Sequence, residues 1–250
     1  MRKIRVLVVL PILKNPALEE VTRKEIEQIR DETLEVNLVS LEQGPASIES
    51  EFDDRIASPW VLEKVKEAEV NGFDAVFLDC MGDIALNAAR EIVRIPVIGP
   101  CQATMAIASM LGDRFSVITI LENVVPLFWR KAREYGFIQN LASVRSVEVP
   151  VLELDTKREL VKKKLAEESK IAIEKDGADV IILGCTGMVG MARDVQEVVG
   201  VPVIDPVPVS IKLAKLMAEL RLIHSNKAYP KPPSKLRKFP GVSELLFKGL

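Results

Sequence analysis

The chain repeats itself, and the repeat limits the folds open to it. Residues 71–111 read NGFDAVFLDCMGDIALNAAREIVRIPVIGPCQATMAIASML, and residues 176–217 read DGADVIILGCTGMVGMARDVQEVVGVPVIDPVPVSIKLAKLM. Each runs Gly-x-Asp, an apolar strand, Cys-x-Gly, an amphipathic stretch, Pro-Val-Ile-x-Pro and a second amphipathic stretch. A single-residue insertion keeps the two in register. Cys80 then falls on Cys185, Pro96 on Pro202 and Pro100 on Pro206. Upstream, IRVLVVL can be set against FSVITIL. A period of about 105 residues is far longer than a solenoid unit of roughly 20–45. It points to two homologous halves that pair about a pseudo-two-fold axis, as identical subunits do.

Each half alternates β-branched runs with charged amphipathic stretches. Strands are predicted at 3–10, 34–41, 74–79, 96–98, 115–121, 143–149, 178–184 and 202–204. Helices are predicted at 18–32, 58–71, 83–93, 101–112, 123–136, 157–176, 187–199 and 207–222. Several strands are apolar at every position, the pattern of strands covered on both faces of a parallel sheet. The fold class is therefore α/β, and 250 residues with 48% hydrophobic content suffice for a large core. Residues 42–57, EQGPASIESEFDDRIA, are long for a strand-to-helix loop and read either as a lid over a site or as a plain surface loop. Residues 223–250, rich in Pro and Lys, form an appendage in which no chemistry is evident.

The opening IRVLVVLPIL is too short to span a bilayer and lacks a small-residue cleavage site, so it reads as a strand. A cytoplasmic protein with reduced thiols is expected, and three cysteines do not suggest a disulfide framework. A net charge of −2 provides no attraction for nucleic acid or an anionic membrane. The expected partner is a small molecule.

The matched thiols carry the chemistry. In open parallel sheets ligands bind beyond the carboxyl ends of the strands, where both Cys80 and Cys185 fall. Two facing lobes would bring the thiols to one ligand from opposite sides. Each cysteine is read as preceding a helix N-terminus, whose partial positive charge lowers a thiol pKa from about 8.5 toward neutral. The backbone N–H groups of Met81 and Gly82, and of Thr186 and Gly187, would form two anion-accepting nests. One thiolate can then remove an acidic C–H proton from one face of a carbon while the other thiol returns a proton to the opposite face. Where adjacent carbonyls activate the C–H, no cofactor is needed. A zinc site would want more ligands at suitable spacing than a chain with the single histidine His224 offers, so no metal is expected. A Cys-x-x-Cys redox pair is absent. Cys101, whose counterpart is Val207, reads as core filler, and Trp60 and Trp129 as packing residues.

The sequence resembles the Asp/Glu/hydantoin racemase superfamily, and the hydantoin racemase branch most closely. The matching stretches are GPASIES…FDD (44–54), DCMGD (79–83), MAIASMLGDRFSVIT (105–119), VPVLEL (149–154), LGCTGM (183–188) and VPVIDPV (201–207). The resemblance implies that Cys80 and Cys185 are the catalytic pair, with Met81, Gly82, Thr186, Gly187, Thr119 and Pro11 around the substrate. It implies two Rossmann-like lobes with mainly parallel four-stranded sheets and a cleft between them: 1–98 with helix 207–222 packed back onto it, and 99–206. A homo-oligomer without a cofactor is implied as well, acting on a 5-substituted hydantoin or similar cyclic amide. An aspartate- or glutamate-type racemase and a non-catalytic binding homologue remain open. Leu10-Pro11-Ile12-Leu13 stands where the branch commonly carries Asn-Pro-Asn-Thr, and Pro100-Cys101-Gln102 where it often has Ile-Ala-Glu; both departures bear on the substrate.

Overall fold

The computed structural model describes residues 2–241 and 246. The first half opens with β1 (Ile4–Leu13), α1 (Pro16–Ile29), β2 (Leu34–Leu41), α2 (Glu51–Val70), β3 (Ala75–Leu78), α3 (Leu86–Ile92) and β4 (Val97–Ile98). Then come α4 (Pro100–Leu111), β5 (Phe115–Thr119), α5 (Val125–Tyr135), β6 (Leu141–Ser146), α6 (Arg158–Glu174), β7 (Val180–Leu183), α7 (Ala192–Val199), β8 (Val203–Ile204) and α8 (Pro206–Glu219). Short 3-10 turns sit at Glu122–Val124, Val151–Glu153 and Thr186–Met188.

The strands form two four-stranded parallel sheets, ordered β2-β1-β3-β4 and β6-β5-β7-β8. The orders are the same once the halves are superposed in sequence, so the fold class read from the repeat holds. The central strands β3 and β7 are buried at every position because helices cover both faces.

Two helices cross over. α4 follows the first sheet but packs on β5 and β7, whereas α8 follows the second and packs on β1, β3 and β4. They also pack on each other. Both begin at a proline, Pro100 and Pro206, where a missing N–H costs nothing.

Several predicted boundaries need correction. α2 starts at Glu51, so the irregular interval is 42–50 and not 42–57. Ser50 caps it by accepting from the Asp53 N–H at 3.1 Å, and Glu51, Asp53 and Asp54 suit the positive end of the helix dipole. Pro59, inside the helix, had concealed its first turns. The helices predicted from 83 and from 187 begin only at Leu86 and Ala192. Left-handed backbone at Asp83 (φ 50°), Ala85 (φ 53°) and Gly190 (φ 75°) breaks the helical path before each. The strand predicted at 143–149 is Leu141–Ser146, and left-handed Glu148 follows it.

The tail folds onto the first sheet. His224 Nε2 accepts the Val97 N–H at 2.8 Å, covering part of edge strand β4, and Tyr229 Oη meets Arg90 Nη1 at 3.1 Å. Trp60 packs edge-on against Phe239, as a packing residue should. Residues 242–245 and 247–250 of the predicted appendage lie outside the described residues.

Candidate active site

β3 and β7 each end two residues before their cysteine, Cys80 and Cys185. Parallel pairing with β1 and β5 fixes both strand ends on the same side of their sheets. Two cavities meet at the thiols, and each is lined by both sulfur-bearing residues. The first is walled mainly by apolar groups from the end of β1 (Leu10, Pro11, Ile12), α1 (Leu18, Val21) and Val151. The second runs under the start of α2 toward Thr119, Asn123 and Arg130.

All the residues expected to surround a ligand come to this place. Pro11 and Gly187 line the first cavity, Met81, Gly82 and Thr119 the second, and Thr186 both. The two glycines stand in equivalent relations to their thiols. A Cβ on Gly82 would lie 3.6 Å from Cys80 Sγ, and one on Gly187 3.5 Å from Cys185 Sγ. The Gly82 N–H points to Cys80 Sγ at 3.4 Å. Cys101 is fully buried and lines neither cavity, consistent with core filler.

One electrostatic expectation is overturned: the thiols are not lowered toward neutral. Burial pushes Cys80 well above the usual thiol range, against the Gly82 N–H and with a contribution from Cys185. Burial pushes Cys185 up to about 12, opposed by the Gly187 N–H. Desolvation outweighs the local donors because no long helix starts at either cysteine; a loop follows one and a single 3-10 turn the other.

Each thiol turn is fastened to the start of a crossover helix, α4 or α8, by one buried carboxyl. Asp83 accepts from the N–H groups of Cys101 and Gln102, both at 2.9 Å, and from Tyr135 Oη at 2.7 Å. Asp205 accepts from Gly190 N–H at 2.6 Å and Val207 N–H at 3.1 Å. In the first half the carboxyl comes from the turn; in the second it comes from the helix cap. The repeat alignment places Gly99 opposite Asp205, and a Cβ on Gly99 would come within 2.6 Å of the Asp83 carboxyl.

Three features were not anticipated from the sequence. Ile48 lines both cavities, and its loop is tied across the site. The Glu49 carboxyl accepts the Val151 N–H at 2.6 Å and its carbonyl accepts Asn123 Nδ2 at 2.8 Å. Val151 closes the first cavity from a 3-10 turn just beyond the strand predicted at 143–149. Asp79, beside Cys80, also lines that cavity; its position at the end of an apolar run was the only available signal. Among the described residues no His/Cys/Asp/Glu group is arranged to hold a metal ion, and no helix is long and apolar enough to cross a membrane.

The Asp/Glu/Hydantoin racemase family model matches residues 13–214. The chain is 37% identical over 198 residues to a hydantoin racemase of Pseudomonas sp. (strain NS671), covering 79% of this chain and 80% of that protein. It is 39% identical over 173 residues to a hydantoin racemase of Rhizobium meliloti, covering 69% and 72%. Among solved structures it is similar to allantoin racemase from Klebsiella pneumoniae, with a TM-score of 0.90 and 31% identity over 96% of this chain and 98% of that one.

Proposed function

The chain belongs to the Asp/Glu/hydantoin racemase family, and from that premise we propose a cofactor-independent racemase in which Cys80 and Cys185 are the two bases. The observation that carries the reading is that both thiols, from equivalent strand ends, line the same pair of cavities. A carbon held between them is open to a sulfur on each face. One thiolate takes the proton, forming S–H as the C–H electrons pass into an adjacent carbonyl. The opposite thiol then releases its proton to the other face, and configuration inverts. Burial makes each thiolate scarce but strongly basic, which suits a weakly acidic C–H.

The substrate is a 5-substituted hydantoin or similar cyclic amide. Its C5–H lies beside a ring carbonyl, and the names of the relatives support this choice. The apolar cavity favours an apolar 5-substituent: Leu10 and Ile12 are buried in its wall. No Lys, Arg or His lines it, so it offers no cation to the α-carboxylate of a free amino acid. The same reading takes 1–98 with 207–222 and 99–206 as the two lobes, supported by the packing of α8 on β1, β3 and β4. The same reading takes the protein as cytoplasmic and homo-oligomeric, in keeping with the family.

Cys80→Ser and Cys185→Ser should each lower racemisation of an enantiopure 5-alkylhydantoin by about 10²–10⁴-fold, measured by polarimetry. Each should leave deuterium exchange from one enantiomer measurable. Full activity in either variant would rule out the two-base scheme.

A further inference from the structure

Of the two acids that line the apolar cavity, Asp79 and Asp155, Asp79 is the buried one. Its residue is 6% exposed, it lines the cavity beside Cys80, and its Oδ1 has no hydrogen-bond partner. Thr186 Oγ1, from the opposite thiol turn, donates to the Asp79 main-chain carbonyl at 3.1 Å and so holds the residue between the two halves. The repeat places Gly184 opposite it, so no second carboxyl balances it. An unpaired buried polar oxygen costs about 1–3 kcal/mol, which makes it a position where a ligand can supply what the protein does not.

The proposed reaction creates a matching need. Removing a proton from the ring carbon drives negative charge onto a carbonyl oxygen, and the wall of the apolar cavity holds no cation to meet it, Arg130 lining only the second cavity. We propose that Asp79 binds the substrate as a protonated carboxyl, its O–H donating a hydrogen bond to the oxygen that becomes the enolate. This rests on the racemase reading above. Asp79 keeps its proton throughout: C–H breaks and S–H forms at one cysteine, then S–H breaks and C–H forms at the other. An ionised Asp79 would instead sit beside a thiolate and an enolate, repelling both. Burial already holds the carboxyl up at about 7, against Thr186 and with a contribution from Asp205. A neutral carboxyl in an apolar site is a strong donor to a developing oxyanion.

The test uses the full chain, an enantiopure 5-alkylhydantoin, and Asp79→Asn and Asp79→Ala, each checked for folding by thermal melt. Removing the donor in D79A should lower kcat by about 10²–10³-fold with KM changed by less than about threefold. D79N keeps an N–H donor and should stay within about tenfold of the parent at neutral pH. The pH profiles provide the second readout. Active parent enzyme carries one thiolate and a protonated Asp79, so kcat/KM should climb up to about pH 7 and then level off. D79N should continue to rise about tenfold per pH unit beyond that point, since only the thiol still titrates. Cys80, Cys185, Asp155 and Asp205 surround the site in both proteins, with Glu49 and Asp54 nearby, so the difference between profiles isolates Asp79. The donor role is overturned if D79A keeps parental kcat, if D79N is as crippled as D79A, or if the parent and D79N profiles superimpose. Should D79A fail to fold, the D79N profile decides. If the parent neither racemises nor exchanges deuterium at C5, the racemase reading fails and the donor role with it. If the parent racemises and D79A matches it, only the donor role fails.

Discussion

The glycines of the site differ in how much added bulk they tolerate. A Cβ on Gly184 would lie 2.8 Å from Thr119 Cα and Cβ and from Val117 Cγ1. A backbone atom on the neighbouring strand cannot move aside, so Gly184→Ala should cost about 1–3 kcal/mol and displace Cys185. Chemical denaturation and kcat should fall together. At Gly187 the contact is Leu154 Cδ1 at 2.9 Å, the free end of a side chain. Gly187→Ala should therefore cost clearly less stability in the same measurement. The identities and equivalence of Cys80 and Cys185 were legible in sequence, because a repeat is a property of residue order. Their raised pKa was not, because burial depends on which distant side chains close over a sulfur.

Among the elements, the two loops that carry the thiols are fixed by carboxyls placed on opposite sides of the same joint. Asp83 and Asp205 each satisfy buried N–H groups that otherwise have no partner at a helix start. Asp205→Ala would leave the Gly190 and Val207 N–H groups unpaired and remove a helix cap, so a loss of about 2 kcal/mol or more in urea unfolding is expected. Tyr135→Phe removes only one of three bonds to Asp83 and should cost about 1 kcal/mol. Strand positions were read closely from their apolar runs. The starts of α2, α3 and α7 were misjudged, since Pro59 sits within one helix and left-handed residues delay the other two. Local propensity does not reveal such a backbone conformation at Ala85, which rarely adopts it, and does not dictate it at Asp83, where it is less rare.

The whole molecule is two like sheets joined by exchanged helices, with a tail strapped over one of them. His224 is held neutral: burial lowers it to about 4, with Arg90 adding to the effect. A histidine that resists protonation in the folded state favours folding above its unfolded pKa near 6.5, and that contribution is lost as pH falls through about 4. The melting temperature of the parent should therefore exceed that of His224→Ala by most near neutral pH, and the gap should narrow steadily between about pH 6.5 and 4. A gap that widens on acidification would contradict the neutral, acceptor role toward Val97. The duplicated α/β architecture, the matched thiols at strand ends and the family were determined by the sequence by itself, because periodicity and motif spacing are local to the chain. Only the tertiary structure decided that Ile48 and Val151 would close the cavity, that burial would overcome the backbone donors at the thiols, and that Asp79 would be left with an unpaired oxygen. Each of these depends on groups far apart in sequence meeting in a space from which water is excluded, and desolvation is a property of that space and not of any one residue.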